Sequence, residues 1–233
     1  MKKIALAAML AGSVSLAQSV QAQTLDTDAA KLSYSLGVMI GENILIHDFQ
    51  TLDTEAFRLG IDTVYGNQDA LMTPEDIMAT MQAFQQNQME AQRAAFAAQA
   101  EENLNLGQAY LTDNSAKAGV TTTDSGLQYE QLEAGEGASP VATDVVKVHY
   151  RGHLIDGTEF DSSYSRGEPI SFPLSGVIPG WTEGLQLMQV GEKARLVIPS
   201  DLAYGPNGMG NAIGPNETLV FEVELLEINP EMN

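Results

Sequence analysis

Val177-Ile178-Pro179-Gly180-Trp181 holds the only tryptophan of the chain and lies where a loop should turn into a helix. Pro179 suits the first helical position, where a missing N–H costs nothing. Trp181, Leu185 and Met188 then recur at i, i+4 and i+7, so one apolar face begins with the indole and points inward. A lone tryptophan can be plain core filler, since large aromatics act mainly through packing. The sequence on either side favours the floor of a binding pocket.

Outward from that helix, the residues after Gly126 form short alternating or β-branched runs separated by glycine, the texture of a mainly β domain. Val145 to Tyr150 leads through Arg151 to Leu154, and Asp156-Gly157 is a strong hairpin signal before a second strand near Thr158 to Phe160. Ala194 to Ile198 reads as another strand. In Leu219 to Ile228, Leu219, Phe221, Val223 and Leu225 form an apolar face. Twisted antiparallel strands wrapped around one short helix, Pro179 to Met188, make an α+β domain over residues 119–233, with the pocket between helix and sheet.

Towards the N-terminus the period changes. Thr73-Pro74-Glu75-Asp76 supplies an N-cap, a helix-starting proline and first-turn acids, and no further proline or glycine appears until Gly107. A helix from Pro74 to about Lys117 would span roughly 65 Å, with Gly107 as its one weak point. Its Ala- and Gln-rich middle, 91–100, has little to bury and reads as an exposed shaft within a connecting segment, residues 71–118. A coiled coil is disfavoured, because sustained a and d hydrophobics are missing. Residues 23–70 carry two shorter helices. One, from Asp26 to Asp48, bears Leu32, Leu36 and Ile44; the other, after Asp53, bears Phe57, Leu59, Ile61 and Val64 and ends near Gly66. Ser33, Gly37 and Gly41 give the first a small-residue stripe that admits a second helix or simply relieves crowding. Fewer than about 50 residues without a staple seldom fold alone, so this region is expected to dimerise.

Residues 1–22 have the form of a secretory leader: Lys2 and Lys3, an apolar run from Ile4 to Val14, and a cleavage site at Val20-Gln21-Ala22, with Ala17 as a competing cut. The run is far short of a membrane span. Of 233 residues 44% are hydrophobic, enough for real cores. Removing the leader takes two lysines and no acids, moving the formal charge from −20 to −22. Scattered cations among 31 carboxylates disfavour a nucleic-acid interface. The chain has no cysteine, hence no disulfide and no thiol nucleophile, and soluble periplasm is the expected compartment.

Five ordered motifs are recognisable. Val148-His149-Tyr150, Asp156 to Ser163, Val177 to Trp181, Ala203-Tyr204-Gly205 and Thr218 to Phe221 resemble the FK506-binding (FKBP) type of peptidyl-prolyl cis-trans isomerase. Ser33 to Gly37, the long helix and Ile213 to Thr218 are similar to its Mip-type periplasmic branch. The resemblance implies a V-shaped homodimer acting on proline-containing unfolded or partly folded polypeptides, with FK506-like macrolides as further ligands and no cofactor. It also implies a catalytic pocket of Tyr150, Phe160, Asp161, Trp181, Tyr204 and Phe221. Arg166, Ile170, Phe172, Val177, Ile178 and Ile213 would complete the substrate-binding wall, with the Ile178 N–H and Tyr204 hydroxyl donating to bound carbonyls. Two departures stand out: Met209 occupies a place where some members carry histidine, and Ile170 is often aromatic in relatives.

Rotation about a peptide bond meets a barrier of ~18–20 kcal/mol, because resonance stiffens C–N. A catalyst needs only to favour the twisted amide, whose charge separation is reduced and which a desolvated aromatic pocket suits. Other chemistries fit less well. His149 and His153 share a strand face but stand roughly 13 Å apart, too far for one metal. Asp161-Ser162-Ser163 lacks a nucleophile elbow, and Gly205 to Gly214 lacks the Gly-Lys-Ser/Thr ending of a phosphate loop. Isomerase, non-catalytic holding chaperone and silent ligand-binding module remain, and the full pocket set argues against the last.

Overall fold

The structure, a computed structural model, describes residues 25–42 and 52–230. The leader and the continuation of the first helix towards Asp48 lie outside the described residues. Two compact units divide the chain, residues 1–74 and 75–233.

In the first unit, helix α1 (Asp28–Ile40) begins at Thr27, whose hydroxyl accepts from the Ala30 amide at 3.1 Å. Helix α2 (Thr54–Tyr65) begins at Asp53, whose carboxylate accepts from the amides of Glu55 and Ala56, both at 3.0 Å, and ends at Gly66. These caps satisfy N–H groups that an α-helix cannot pair internally. Neither helix buries a single residue. Leu32, Leu36, Val64 and Tyr65 all stand exposed.

Helix α3 (Pro74–Ser115) has 42 residues, a rod of about 63 Å, as its proline start and unbroken run predict. Only Gly107 and Asn114 along it are buried. Its C-terminal half is docked side-on by amide side chains. Asn103 Nδ2 donates to the Pro215 carbonyl (2.8 Å), and Asn216 Nδ2 donates back to the Ala100 carbonyl (3.1 Å). About three turns further on, Asn114 donates to Gln128 Oε1 (2.8 Å) while Gln128 donates to the Leu111 carbonyl (2.7 Å). Gly107 is not the weak point that propensity suggests. A Cβ there would stand 2.3 Å from Thr218 Oγ1, so glycine is what lets the helix lie against the loop.

Seven antiparallel strands follow: β1 (Val120–Thr122), β2 (Gln128–Glu133), β3 (Val145–Leu154), β4 (Glu159–Ser162), β5 (Ile170–Pro173), β6 (Lys193–Ile198) and β7 (Leu219–Ile228). Their order is β1-β2-β6-β7-β3-β4, and β5 pairs with β3 beside β4. Strand β3 thus carries β7 on one edge and, on the other, β5 along Val145–Val148 and β4 along Arg151–His153. A single turn of helix, α4 (Ser163–Arg166), closes β4, and α5 (Pro179–Leu187) crosses the sheet. Trp181, Leu185 and Met188 are buried against Val148, Leu196, Ile198, Phe221 and Val223, which is the inward face that their spacing predicts.

Alanine for glycine within a helix ordinarily gains about 1 kcal/mol. Gly107→Ala should instead lower Tm, since overpacking against Thr218 costs about 1–3 kcal/mol. Thr218→Ala in the same chain should recover part of that loss. A Gly107→Ala protein as stable as the wild type would show that helix and loop are not in contact.

Candidate active site

The pocket is assembled from one or two residues of each element. Strand β3 supplies Tyr150, β4 Phe160 and Asp161, β5 Ile170 and Phe172, α5 Trp181 and β7 Phe221. Gly176, Val177 and Ile178 come from the turn before α5, and Tyr204 and Met209 from the loop after β6. Together they line a cavity of about 430 Å³, within the usual size for a small-molecule site.

Trp181 is its floor, 6% exposed, and three rings stand around it. Tyr150 and Phe221 each meet the indole edge-on, with centroids 5.1 Å away and interplanar angles of 85° and 84°. Phe172 is tilted at 5.3 Å, and Phe160 meets Phe221 edge-on at 5.5 Å. Edge-to-face pairs match the positive ring edge to the negative ring face. Gly152, in the middle of β3, makes room for this cluster. A Cβ there would stand 2.6 Å from Phe221 and 2.8 Å from Phe160. The sequence reading missed Gly152, although a glycine inside a strand is a known mark of close approach.

The rim is polar on one side. The Tyr150 hydroxyl and Arg166 Nη1 each donate to one oxygen of Asp161, and Arg166 Nη2 donates to the Tyr150 hydroxyl at 2.7 Å. The guanidinium also lies 5.5 Å over the Tyr150 ring. Helix α4 presents this arginine, starting at Ser162, whose hydroxyl accepts from the Ser165 amide, and stopping at Gly167 with φ 82°. Ser163, fully buried, accepts from the Tyr150 amide (2.8 Å) and donates to its carbonyl (3.1 Å), pinning that residue.

Burial pushes the Asp161 carboxyl up, but the hydrogen bonds from Tyr150 and Arg166 and the guanidinium charge outweigh it and hold it below the ordinary carboxylate range. Burial and hydrogen bonding to Asp161 raise the Tyr150 phenol, and burial followed by the Asp161 charge raises that of Tyr204. Both phenols therefore remain donors at neutral pH. The Trp181 Nε1–H is buried and, among the described residues, has no acceptor.

Ten of the twelve residues marked in the sequence line the cavity directly; Arg166 acts from behind Asp161, and Ile213 lies elsewhere. Ile213 is 2% exposed, pairs through its backbone with Met209 (2.8 and 3.2 Å) and faces a neighbouring cleft. Met209 is the residue of that pair that reaches the pocket. The histidines do not come together as ligands: His149 stacks on Tyr164 and meets Ser163, whereas His153 Nδ1 approaches the Leu154 carbonyl. Among the described residues no cluster of acids and histidines could hold a metal.

Comparison with known proteins agrees with this geometry. The profile described as FKBP-type peptidyl-prolyl cis-trans isomerase matches residues 136–226, and that of the domain amino-terminal to such isomerases matches residues 29–130. The 22 kDa FKBP-type isomerase of Escherichia coli K12 is 47% identical over 207 residues, 88% of this chain and 98% of the relative. The outer membrane protein MIP of Legionella longbeachae is 40% identical over 227 residues, 97% of each chain. The crystal structure of FkpA from Escherichia coli superposes with a TM-score of 0.78 at 40% identity, covering 90% of this chain and all of that one. The chain belongs to the FKBP-type peptidyl-prolyl cis-trans isomerases and is an enzyme of that class.

A carboxyl whose folded pKa is depressed contributes stability above its unfolded value, near pH 4, and that contribution is lost as pH falls through the folded value. Arg166→Met removes a hydrogen bond and a charge from Asp161. The acid unfolding midpoint, followed by Trp181 fluorescence, should move to higher pH, together with the acid limb of the isomerase rate. Unchanged midpoints would show that the pairing is not kept in solution.

Proposed function

We propose that this enzyme accelerates Xaa-Pro isomerisation in exported polypeptides by holding the twisted amide in the aromatic cavity. Six rings around a 430 Å³ cavity, with a single ionised rim at Asp161, carry this reading. The proline ring lies on Trp181, walled by Tyr150, Phe160 and Phe221, with Phe172, Ile170 and Val177 closing the side. Twisting removes resonance and with it charge separation, so an environment poor in water lowers the cost of the twisted form relative to the planar one. The Tyr204 hydroxyl and the Ile178 N–H donate to carbonyls beside the rotating bond, and Asp161, steadied by Arg166, fixes orientation. Bonds in the chain are neither made nor broken, so the reaction needs no nucleophile and no cofactor.

The leader-like residues 1–22 support export to the periplasm, with the leader removed. The uncovered apolar residues of α1 and α2 favour a homodimer built through the N-terminal unit, since isolated helices of this length are marginal in water. A dimer with two catalytic domains can hold unfolded chains at two points, which supports an added chaperone role. The alternative, a holding chaperone with no catalysis, makes no use of the polar rim.

Relaxation of a cis Xaa-Pro peptide should be catalysed by the mature chain and inhibited by FK506. Trp181→Ala and Asp161→Ala, shown to be folded by circular dichroism, should each lower kcat/KM at least about tenfold, the effect of ~1.4 kcal/mol. Full activity in both variants would reject the assigned roles. Sedimentation of the mature chain should give twice the chain mass, and a monomer would reject the dimer. Suppression of aggregation of a proline-free chain should persist in Trp181→Ala; its loss there would place holding in the catalytic pocket instead.

A further inference from the structure

Beside the catalytic cavity lies a second cleft of about 370 Å³, between the long helix and the loop 207–217. Phe96 and Gln99 of α3 form one wall, Leu154 another, and Asn207, Asn211 and the backbone 210–215 the third. Glu217 stands at its inner end and also lines a smaller recess of about 100 Å³ with Asn103, Leu106, Ile155 and Asp156. All ionisable side chains lining the two spaces are acidic. Among the described residues the Glu217 carboxylate has neither a hydrogen-bond nor an ion-pair partner, so a part-buried charge is left without compensation. Burial, and then the Asp156 charge, push its pKa upwards.

One loop borders both spaces: Met209 lines the cavity, whereas Asn207, Gly210 and Asn211 beside it in sequence line the cleft. A polypeptide with its proline on Trp181, running over this loop at about 3.3 Å per residue, brings a side chain two to four positions away over the cleft. We propose that the cleft is a second substrate subsite, which takes a lysine or arginine side chain of the polypeptide whose proline occupies the catalytic cavity. Leu154, Ile155, Phe96 and Leu106 suit the methylene stem of such a side chain, and Glu217 with the amides of Gln99 and Asn211 suits its charged head. Among the described residues no group of three or more acids, histidines or cysteines stands here to hold a divalent metal.

The test uses the mature chain and a set of Xaa-Pro peptides with a single lysine moved from four residues before the proline to four after it. Each is paired with a peptide carrying norleucine at the same place. At one register, kcat/KM for the lysine peptide should exceed that of its norleucine twin about fivefold, the effect of a part-buried charge pair. In Glu217→Gln, checked for fold by circular dichroism, that ratio should fall to about one. In Asp124→Asn, which removes an exposed acid from the β1–β2 turn, it should persist. A ratio near one at every register overturns the subsite. So does a preference that survives in Glu217→Gln, or one lost equally in Asp124→Asn, which would reflect only the overall negative charge. Absence of catalysis on all peptides would instead overturn the placement of the active site.

Discussion

The structure of the candidate site depends on the burial of one indole. Trp181 is held by the packing of α5 across the sheet, and Tyr150, Phe172 and Phe221 touch it from three separate strands. No local segment could build such a floor, because each ring is fixed by a different element. Among the described residues the buried Nε1–H of Trp181 has no acceptor.

Around this dry floor the polar groups are few and heavily constrained. Asp161 is gripped from both sides, and Tyr150, which donates to it, is itself pinned by Ser163. Side chains locked in this way lose little freedom when substrate binds, which favours a fixed orientation over an adaptable one. The loop after β6 has a different character. It contributes Tyr204 and Met209 to the cavity, and its far side is tied to α3 through Pro215 and Asn216. The long helix therefore serves as more than a spacer: its C-terminal half buttresses one wall of the site.

Much of this was legible in the residues. The i, i+4, i+7 spacing of Trp181, Leu185 and Met188, the Asp156-Gly157 turn, the cap at Asp53 and the helix-starting Pro74 are local signals, and each is realised where it was read. Ten of twelve pocket residues follow from ordered motifs. Ile213 does not line the cavity: it packs in the core and borders the neighbouring cleft, while its bridge partner Met209 lines the cavity. Short strands such as β1 and β5 were not resolved, since three or four residues carry too little periodicity.

By itself the sequence determined the starts of the helices at Asp28, Thr54, Pro74 and Pro179, the β texture of the C-terminal half and the family, because capping, periodicity and motif order act over a few residues at a time. Only the tertiary structure decided what depends on residues far apart in the chain. It placed Gly107 against Thr218, fitted Gly152 beneath two phenylalanine rings, and left Glu217 on the lining of a second cleft with no partner among the described residues. The physical reason is that close approach and charge compensation are properties of spatial neighbours. Sequence records the residue but not what stands opposite it.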